Sequence, residues 1–166
     1  MGKTLILCVL ASLAVPVAPA LSADCTTPAA PKVDWQRCYM DERDLSGHDL
    51  SGARLRETSF QRSLLHATLL QGVDAYRVRF VSADLRGAVL DQGTFAEADF
   101  TKADLTGASL KQADLRRAKF FRASLRGTDL TGAQVDRAEF LNADLSGARW
   151  TDGGHICAEG SVGQCK

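Results

Sequence analysis

The chain carries a large apolar residue at every fifth position over most of its length. All twenty-two positions divisible by five from Leu45 to Trp150 are apolar, and thirteen of them are leucine and six are phenylalanine. Alanine stands two residues before thirteen of these twenty-two centres, and the residue between is often aspartate. This pattern of small, polar and large residues is the main constraint on the fold.

A period of five fits neither a helix nor a continuous strand. Five residues rotate a helix by roughly 500°, so successive centres would spread around its axis. An odd step along a strand would place successive centres on opposite faces. A short extended piece followed by a two-residue turn keeps every centre on the inside, and glycine often stands two residues after a centre, where a tight turn favours it. These glycines are Gly47, Gly52, Gly72, Gly87, Gly107, Gly127, Gly132 and Gly147. A chain that bends the same way after every pentad winds into a solenoid.

The spacing of the aromatic residues predicts the size of one coil. The phenylalanine centres recur every twenty residues, at Phe60, Phe80, Phe100, Phe120 and Phe140, with Phe95 as the exception. Four pentads therefore make one coil of square cross-section, with the rings stacked along one side. About five and a half coils spaced by about 4.8 Å would form a rod roughly 25 Å long.

These residues resemble the pentapeptide-repeat proteins, whose motif is A(D/N)LXX, and the resemblance covers residues 43–152. It implies an all-β fold, a right-handed quadrilateral β-helix solenoid, and the handedness rests on the resemblance alone. We expect looser coils where the pattern lapses. The lapses are Arg43, His48, Thr58 and Thr68 at sites for a small residue, and Ala75 at a site for a large one.

The first twenty-three residues have the layout of a secretory signal peptide. Lys3 precedes an apolar run from Leu5 to Val15, and small residues follow up to Ala23. The run is much shorter than the roughly 20 residues that span a bilayer as a helix, so a retained anchor is the poorer interpretation. We predict export to a bacterial periplasm or to the medium, with cleavage between residues 20 and 23 and no membrane span afterwards.

Removal of the signal peptide would leave an even number of cysteines, which suits an oxidising compartment. They are Cys25, Cys38, Cys157 and Cys165. Free thiols or a metal site are the alternatives, and no metal-binding spacing supports the second. Opposite ends of a rod of about 25 Å cannot bring Cα atoms within the roughly 7 Å that a disulfide needs. We therefore predict Cys25–Cys38 in an N-terminal cap, residues 24–42, and Cys157–Cys165 in a C-terminal cap, residues 153–166.

Charge adds little to the choice of partner. Twenty basic and twenty acidic residues balance to a net charge of zero, so no basic surplus indicates nucleic-acid binding. Some cytoplasmic members of the resembled family act on DNA gyrase by imitating DNA with an acidic face. No continuous anionic stripe appears in this sequence, and that function remains an alternative.

No residue pattern predicts catalysis, a cofactor or a metal. We expect His48 to be partly buried at a small-residue site, and we expect His66 and His155 to lie in a turn and in the tail. Asp84, Asp104 and Asp144 fall in one column, but aspartate is the repeat's consensus there and its carboxylate can accept turn N–H groups. A non-enzymatic protein is the prediction, with an unidentified enzyme as a second alternative.

One outward column stands out as a candidate partner surface. It contains Val81, Thr101, Phe121 and Leu141, and basic residues flank it. An apolar strip rimmed by charge is typical of a protein-binding site, although isolated surface apolar residues are common and a tail could cover the strip. We predict a rigid module that binds an unknown protein or supports the cell envelope, and the oligomeric state stays open.

Overall fold

The computed structural model describes residues 24–166, so the predicted signal peptide lies outside the described residues. Within this range the chain forms no helix and no extended strand, and its single-residue parallel bridges join positions twenty apart, from Asp34↔Arg54 to Asp129↔Arg149. The twenty-residue period is confirmed. No helix of residues 24–166 has the length and apolar character that crossing a membrane requires.

The bridges form four columns, which we call walls 1 to 4 in chain order. Wall 1 runs from Asp34 to Gln134, wall 2 from Tyr39 to Glu139, wall 3 from Asp44 to Asp144, and wall 4 from Asp49 to Arg149. The apolar centre of each pentad directly follows its bridge residue and points into the shared interior. The core is therefore a continuous column enclosed by the walls.

The phenylalanine centres of wall 2 stack face to face. From Phe60 to Phe140, neighbouring rings lie 4.9 to 5.3 Å apart between centroids, with planes inclined by only 2° to 20°. Their spacing matches the distance between adjacent strands, about 4.8 Å. The predicted aromatic column on one side is confirmed.

Residues 104–108 illustrate how the backbone of an interior pentad with the consensus aspartate is hydrogen-bonded. The Asp104 N–H donates to the preceding coil over 3.0 Å, and the Leu105 and Gly107 N–H groups donate to the following coil over 2.8 and 2.9 Å. The Ala108 N–H closes the turn onto the Leu105 carbonyl at 2.9 Å. The remaining donor, the Thr106 N–H, is accepted by Asp104 Oδ1 at 3.0 Å. The consensus aspartate therefore completes the turn, as the sequence predicts.

From Leu45 to Leu145, the residue two positions after each centre has a positive φ, but this position is not reserved for glycine. Gly107 has φ of 68°, and Glu97 and Arg117 adopt φ of 59° and 60° at equivalent sites. The Arg117 N–H donates to the Asp136 carbonyl of the next coil at 3.0 Å, and such bonds offset the strain of a side chain at positive φ. Glycine is therefore favoured at this turn position but is not required there.

Polar residues at small-residue sites are accommodated by hydrogen bonds. The Thr58 and Thr68 hydroxyls are buried and donate to the carbonyls of Trp35 and Leu45 in the coil below, over 2.6 and 2.9 Å. These two sites therefore give no sign of a looser coil. His48 is exposed rather than partly buried, because it lies on the first coil and has no coil beneath it.

The small centre at Ala75 lies directly below the exceptional phenylalanine of wall 1. Phe95, one coil above on wall 1, inclines towards the aromatic column, with its ring centroid 6.4 Å from that of Phe80. Room for the ring comes from Gly93, where a Cβ atom would lie 2.4 Å from Phe95 Cε2. All three of Ala75, Gly93 and Phe95 are buried.

Disulfides join Cys25 to Cys38 and Cys157 to Cys165, the pairing that the distance argument predicts, with Cα separations of 5.5 and 4.9 Å. At the N-terminus, pentads centred on the buried Trp35 and Met40 already precede residue 43. At the C-terminus the chain reverses, and Arg149↔Ile156 and Asp144↔Val162 pair as antiparallel bridges.

Candidate interaction surface

The fold brings the four residues of the predicted strip into one column at the corner after wall 2. Their backbone carbonyls accept hydrogen bonds from N–H groups of the coil below. The Ser82 N–H donates to the Thr101 carbonyl at 2.9 Å, and the Lys102 N–H donates to the Phe121 carbonyl at 2.9 Å. Val81 and Leu141 continue the column downwards and upwards by the same type of bond. The strip is therefore contiguous.

The exposure of the strip rises towards the C-terminal end of the rod. Val81, Thr101 and Phe121 are half-buried, whereas Leu141 is 65% exposed. The Arg122 guanidinium carbon lies 5.0 Å from the centre of the Phe121 ring, which places a cation over its face. The strip thus ends in an exposed leucine next to a cation-covered aromatic ring.

Three cations lie around the upper part of the strip, and Lys119 among them stands between Asp99 and Glu139 on wall 2. Lys102, Lys119 and Arg122 form no ion pair within residues 24–166, whereas Arg62, lower on the same corner, pairs with Glu42.

A second column, which we call the corner ladder, follows the turns between walls 1 and 2. It consists of Arg37, Glu57, Arg77, Glu97, Arg117 and Arg137. Ion pairs link its rungs: Arg77 Nε lies 2.8 Å from Glu97, and Arg117 Nε lies 3.7 Å from the same carboxylate. The ladder borders a groove of about 600 Å³ on wall 2. Arginine and glutamate alternate every twenty residues from Arg37 to Arg117 in the sequence, but the groove beside them depends on the fold.

The aspartates of wall 3 have structural roles, because their carboxylates accept hydrogen bonds within the turns and from arginines. Arg86 donates to Asp84 and, with the Arg86 N–H, holds the pKa of that carboxyl below its ordinary value. The Ser146 hydroxyl, joined by Arg126, lowers the pKa of Asp144 to about 2. Carboxyl groups held ionised in this way are poor general acids at neutral pH.

The histidines do not form a site in the described part of the chain. His48, His66 and His155 are all exposed and lie in different parts of the rod. Across residues 24–166 no group of three or more histidine, cysteine, aspartate or glutamate side chains is arranged to hold a metal ion.

The comparison with protein families identifies the class of protein. The sequence model of the family described as pentapeptide repeats matches this chain in eight copies, which cover residues 36–72, 79–117 and 118–149. The chain belongs to the pentapeptide repeat family, whose fold is the right-handed quadrilateral β-helix. No curated protein matches it.

Solved structures of the same class are similar to it. HetL, a pentapeptide repeat protein involved in heterocyst differentiation regulation from Nostoc sp. strain PCC 7120, is 28% identical, with coverage of 74% of this chain and 68% of that chain and a TM-score of 0.35. A protein from the Arabidopsis thaliana thylakoid lumen is 25% identical, with coverages of 73% and 82% and a TM-score of 0.47. QnrB1, a plasmid-mediated fluoroquinolone resistance protein, is 22% identical, with coverages of 78% and 73% and a TM-score of 0.33.

Proposed function

We propose that this protein is an exported, non-enzymatic interaction module, a rigid rod of about five and a half coils that binds a protein partner through the strip Val81, Thr101, Phe121 and Leu141. The observation that carries the proposal is the exposed Leu141 at the end of a contiguous column, beside Arg122, which forms no ion pair within residues 24–166 and lies over the Phe121 ring. A partner with an acidic and apolar surface suits this combination.

Two features support export. A disulfide lies in the segment at each end of the rod, and disulfides persist in oxidising compartments. The leading segment has the signal-peptide layout described above. Mass spectrometry of protein from the envelope fraction tests this part: a mature N-terminus between residues 21 and 24 is expected, and an intact Met1 in the cytosol would overturn it.

Imitation of DNA remains the weaker proposal. It needs a continuous acidic face, whereas the acidic groups of the corner ladder alternate with arginines that neutralise them. Absence of any effect of the purified protein on gyrase supercoiling is the expected result.

Site-specific photocrosslinking in intact cells tests the strip. A photoreactive residue in place of Leu141 should yield a discrete crosslinked partner, and the same residue in place of Tyr39, which is 75% exposed at the other end of wall 2, should not. The substitution Phe121→Ser should abolish the adduct at position 141 because it removes the centre of the strip.

Folding is controlled in the same experiment. Phe121 is half-buried outside the core, so Phe121→Ser should keep the circular dichroism spectrum and nearly the same unfolding midpoint. Tyr39→Ser serves as the matched aromatic control. An adduct at position 141 that persists in Phe121→Ser would exclude this strip as the binding surface.

A further inference from the structure

The C-terminal cap covers only half of the last coil. It pairs with wall 3 through Asp144↔Val162 and with wall 4 through Arg149↔Ile156. On these two walls the carbonyls of the cap accept hydrogen bonds from the last coil. The Leu145 N–H donates to the Ser161 carbonyl at 2.8 Å, and the Trp150 N–H donates to the His155 carbonyl at 2.8 Å. Within residues 24–166 the cap forms no bridge to wall 1 or wall 2, and it reaches only the end of wall 2, where a Cβ atom on Gly163 would lie 3.9 Å from the Asn142 nitrogen.

On those two walls the backbone donors that would join a further coil are unused. In the coil below, the Leu115 and Phe120 N–H groups donate to the Gln134 and Glu139 carbonyls, over 2.9 and 2.8 Å. The equivalent N–H groups one coil higher have no backbone or side-chain acceptor in the described chain. They belong to Val135, Arg137, Phe140 and Asn142, and we call residues 135–142 the open edge.

The open edge also leaves part of the core uncovered. Leu115, Ala118 and Phe120 are fully buried, whereas their counterparts Val135, Ala138 and Phe140 are only partly buried. The Phe140 ring stacks on Phe120 below, at 5.0 Å, and the tilted Trp150 ring lies 5.7 Å from it, so the regular stack ends at Phe140. An extended segment laid on the edge would bury this surface and use the free donors at once.

Charge indicates what kind of segment fits. The corner ladder alternates in sign up to Arg117, and then Arg137 repeats the positive charge. Glu97 bridges Arg77 and Arg117, but Arg137 has no ion pair within residues 24–166. A carboxylate one coil above Arg137 would restore the alternation at the next position of the ladder.

We propose that the open edge binds an extended segment of a partner protein by strand addition, with apolar residues over Val135 and Phe140 and a carboxylate over Arg137. The segment continues the solenoid for two pentads. This inference rests on the proposed function only in treating the rod as a protein-binding module, since the edge and the strip are different surfaces.

A synthetic peptide can represent the missing pentads. The sequence Ala-Asp-Leu-Thr-Glu-Ala-Lys-Leu-Ser-Gly places leucines over the two centres and its glutamate over Arg137, and a control peptide carries lysine in place of that glutamate. Amide hydrogen exchange of the whole protein, followed by NMR, should show protection of the Val135, Arg137, Phe140 and Asn142 amides when the first peptide is added. The control peptide should bind at least about tenfold more weakly.

A charge reversal with a matched control tests the role of Arg137. Arg137→Glu should weaken binding of the first peptide by about tenfold or more and should improve binding of the lysine peptide. Arg37→Glu changes the same column at the opposite end of the rod and should leave both affinities within about twofold of the original. Because Arg137 is an exposed turn residue, circular dichroism should show both variants folded.

The outcomes separate this inference from the proposed function. Lack of protection at the four amides, or equal binding of both peptides, would overturn the open edge as a docking site while leaving the crosslinking result at Leu141 intact. Protection of these amides without peptide, in step with dimer formation by sedimentation, would assign the edge to a second copy and equally overturn the proposal. Unchanged peptide binding in Phe121→Ser would support two separate surfaces.

Discussion

The pentad works because each of its residues has a separate structural task. The centre fills the core, the small residue admits the neighbouring centre, and the aspartate before the centre accepts the one N–H group that no backbone carbonyl reaches, as Asp104 does for Thr106. Exceptions are compensated locally, by a hydroxyl bond at Thr68 and by a shifted ring at Phe95. The tolerance of the repeat for substitutions therefore depends on three-dimensional neighbours.

Gly93 provides the clearest test of that dependence. Gly93→Ala should lower the free energy of unfolding by about 1 to 3 kcal/mol, because its Cβ would lie 2.4 Å from Phe95 Cε2. In Phe95→Leu the obstructing ring atoms are absent, so adding Gly93→Ala to that variant should cost much less. Urea unfolding of the two single variants and the double variant measures the coupling, and strictly additive costs would contradict this account.

At the scale of the element, the walls are held by repeated contacts between coils and the ends by special ones. Wall 3 ends in Asp144, which accepts from the Ser146 N–H and hydroxyl and from Arg126, and Arg126 also reaches Glu159 of the cap. This cluster ties the cap to the last coil. The Ser146 hydroxyl, together with Arg126, lowers the pKa of Asp144 to about 2.

The low pKa of Asp144 makes the cap sensitive to acid. A carboxyl whose pKa is lower in the folded state contributes stability that is fully present above its unfolded value, near 3.8, and is lost as pH falls towards 2. Asp144→Asn should lower the free energy of unfolding at pH 7. It should also make that free energy fall less steeply as the pH drops from about 4 to about 2. Chemical denaturation at a series of pH values measures this, and an unchanged slope would show that other carboxyl groups dominate.

How much of each element the sequence could predict depends on the range of the interaction. The coil length, the aromatic column and both disulfide pairs follow from spacing along the chain. The partnership of Ala75, Gly93 and Phe95 does not, because it depends on how far one ring inclines. The open edge could not be predicted either. The sequence shows where the pentads stop, but it does not show which walls the C-terminal tail covers. Of the strip, the column was predictable and the exposure of Leu141 was not.

At the scale of the whole molecule, stability accumulates through contacts between adjacent coils. The bridges join only residues one coil apart, apart from the terminal reversal. Such a rod behaves as a one-dimensional stack in which each coil depends on its neighbours. Its register, rather than its length, is what the sequence must preserve.

Deletions of different length test the importance of register. Removing residues 98–117 takes out one whole coil, keeps every wall aligned and places Arg137 next to Glu97. Removing only residues 98–102 shifts all later pentads by a quarter turn, so that Phe120 moves from wall 2 to wall 1. The shorter deletion should unfold at the lower temperature in a thermal scan followed by circular dichroism. The reverse order would show that length matters more than register.

The aromatic column also has an optical consequence. Trp35 lies 6.5 Å from the ring of Phe60 at one end, and Trp150 lies 5.7 Å from that of Phe140 at the other. The sequence contains only these two tryptophans. Tryptophan fluorescence therefore reports on the two ends of the rod and not on its middle. Replacing either tryptophan by phenylalanine leaves a single tryptophan, whose emission follows local unfolding at one end only.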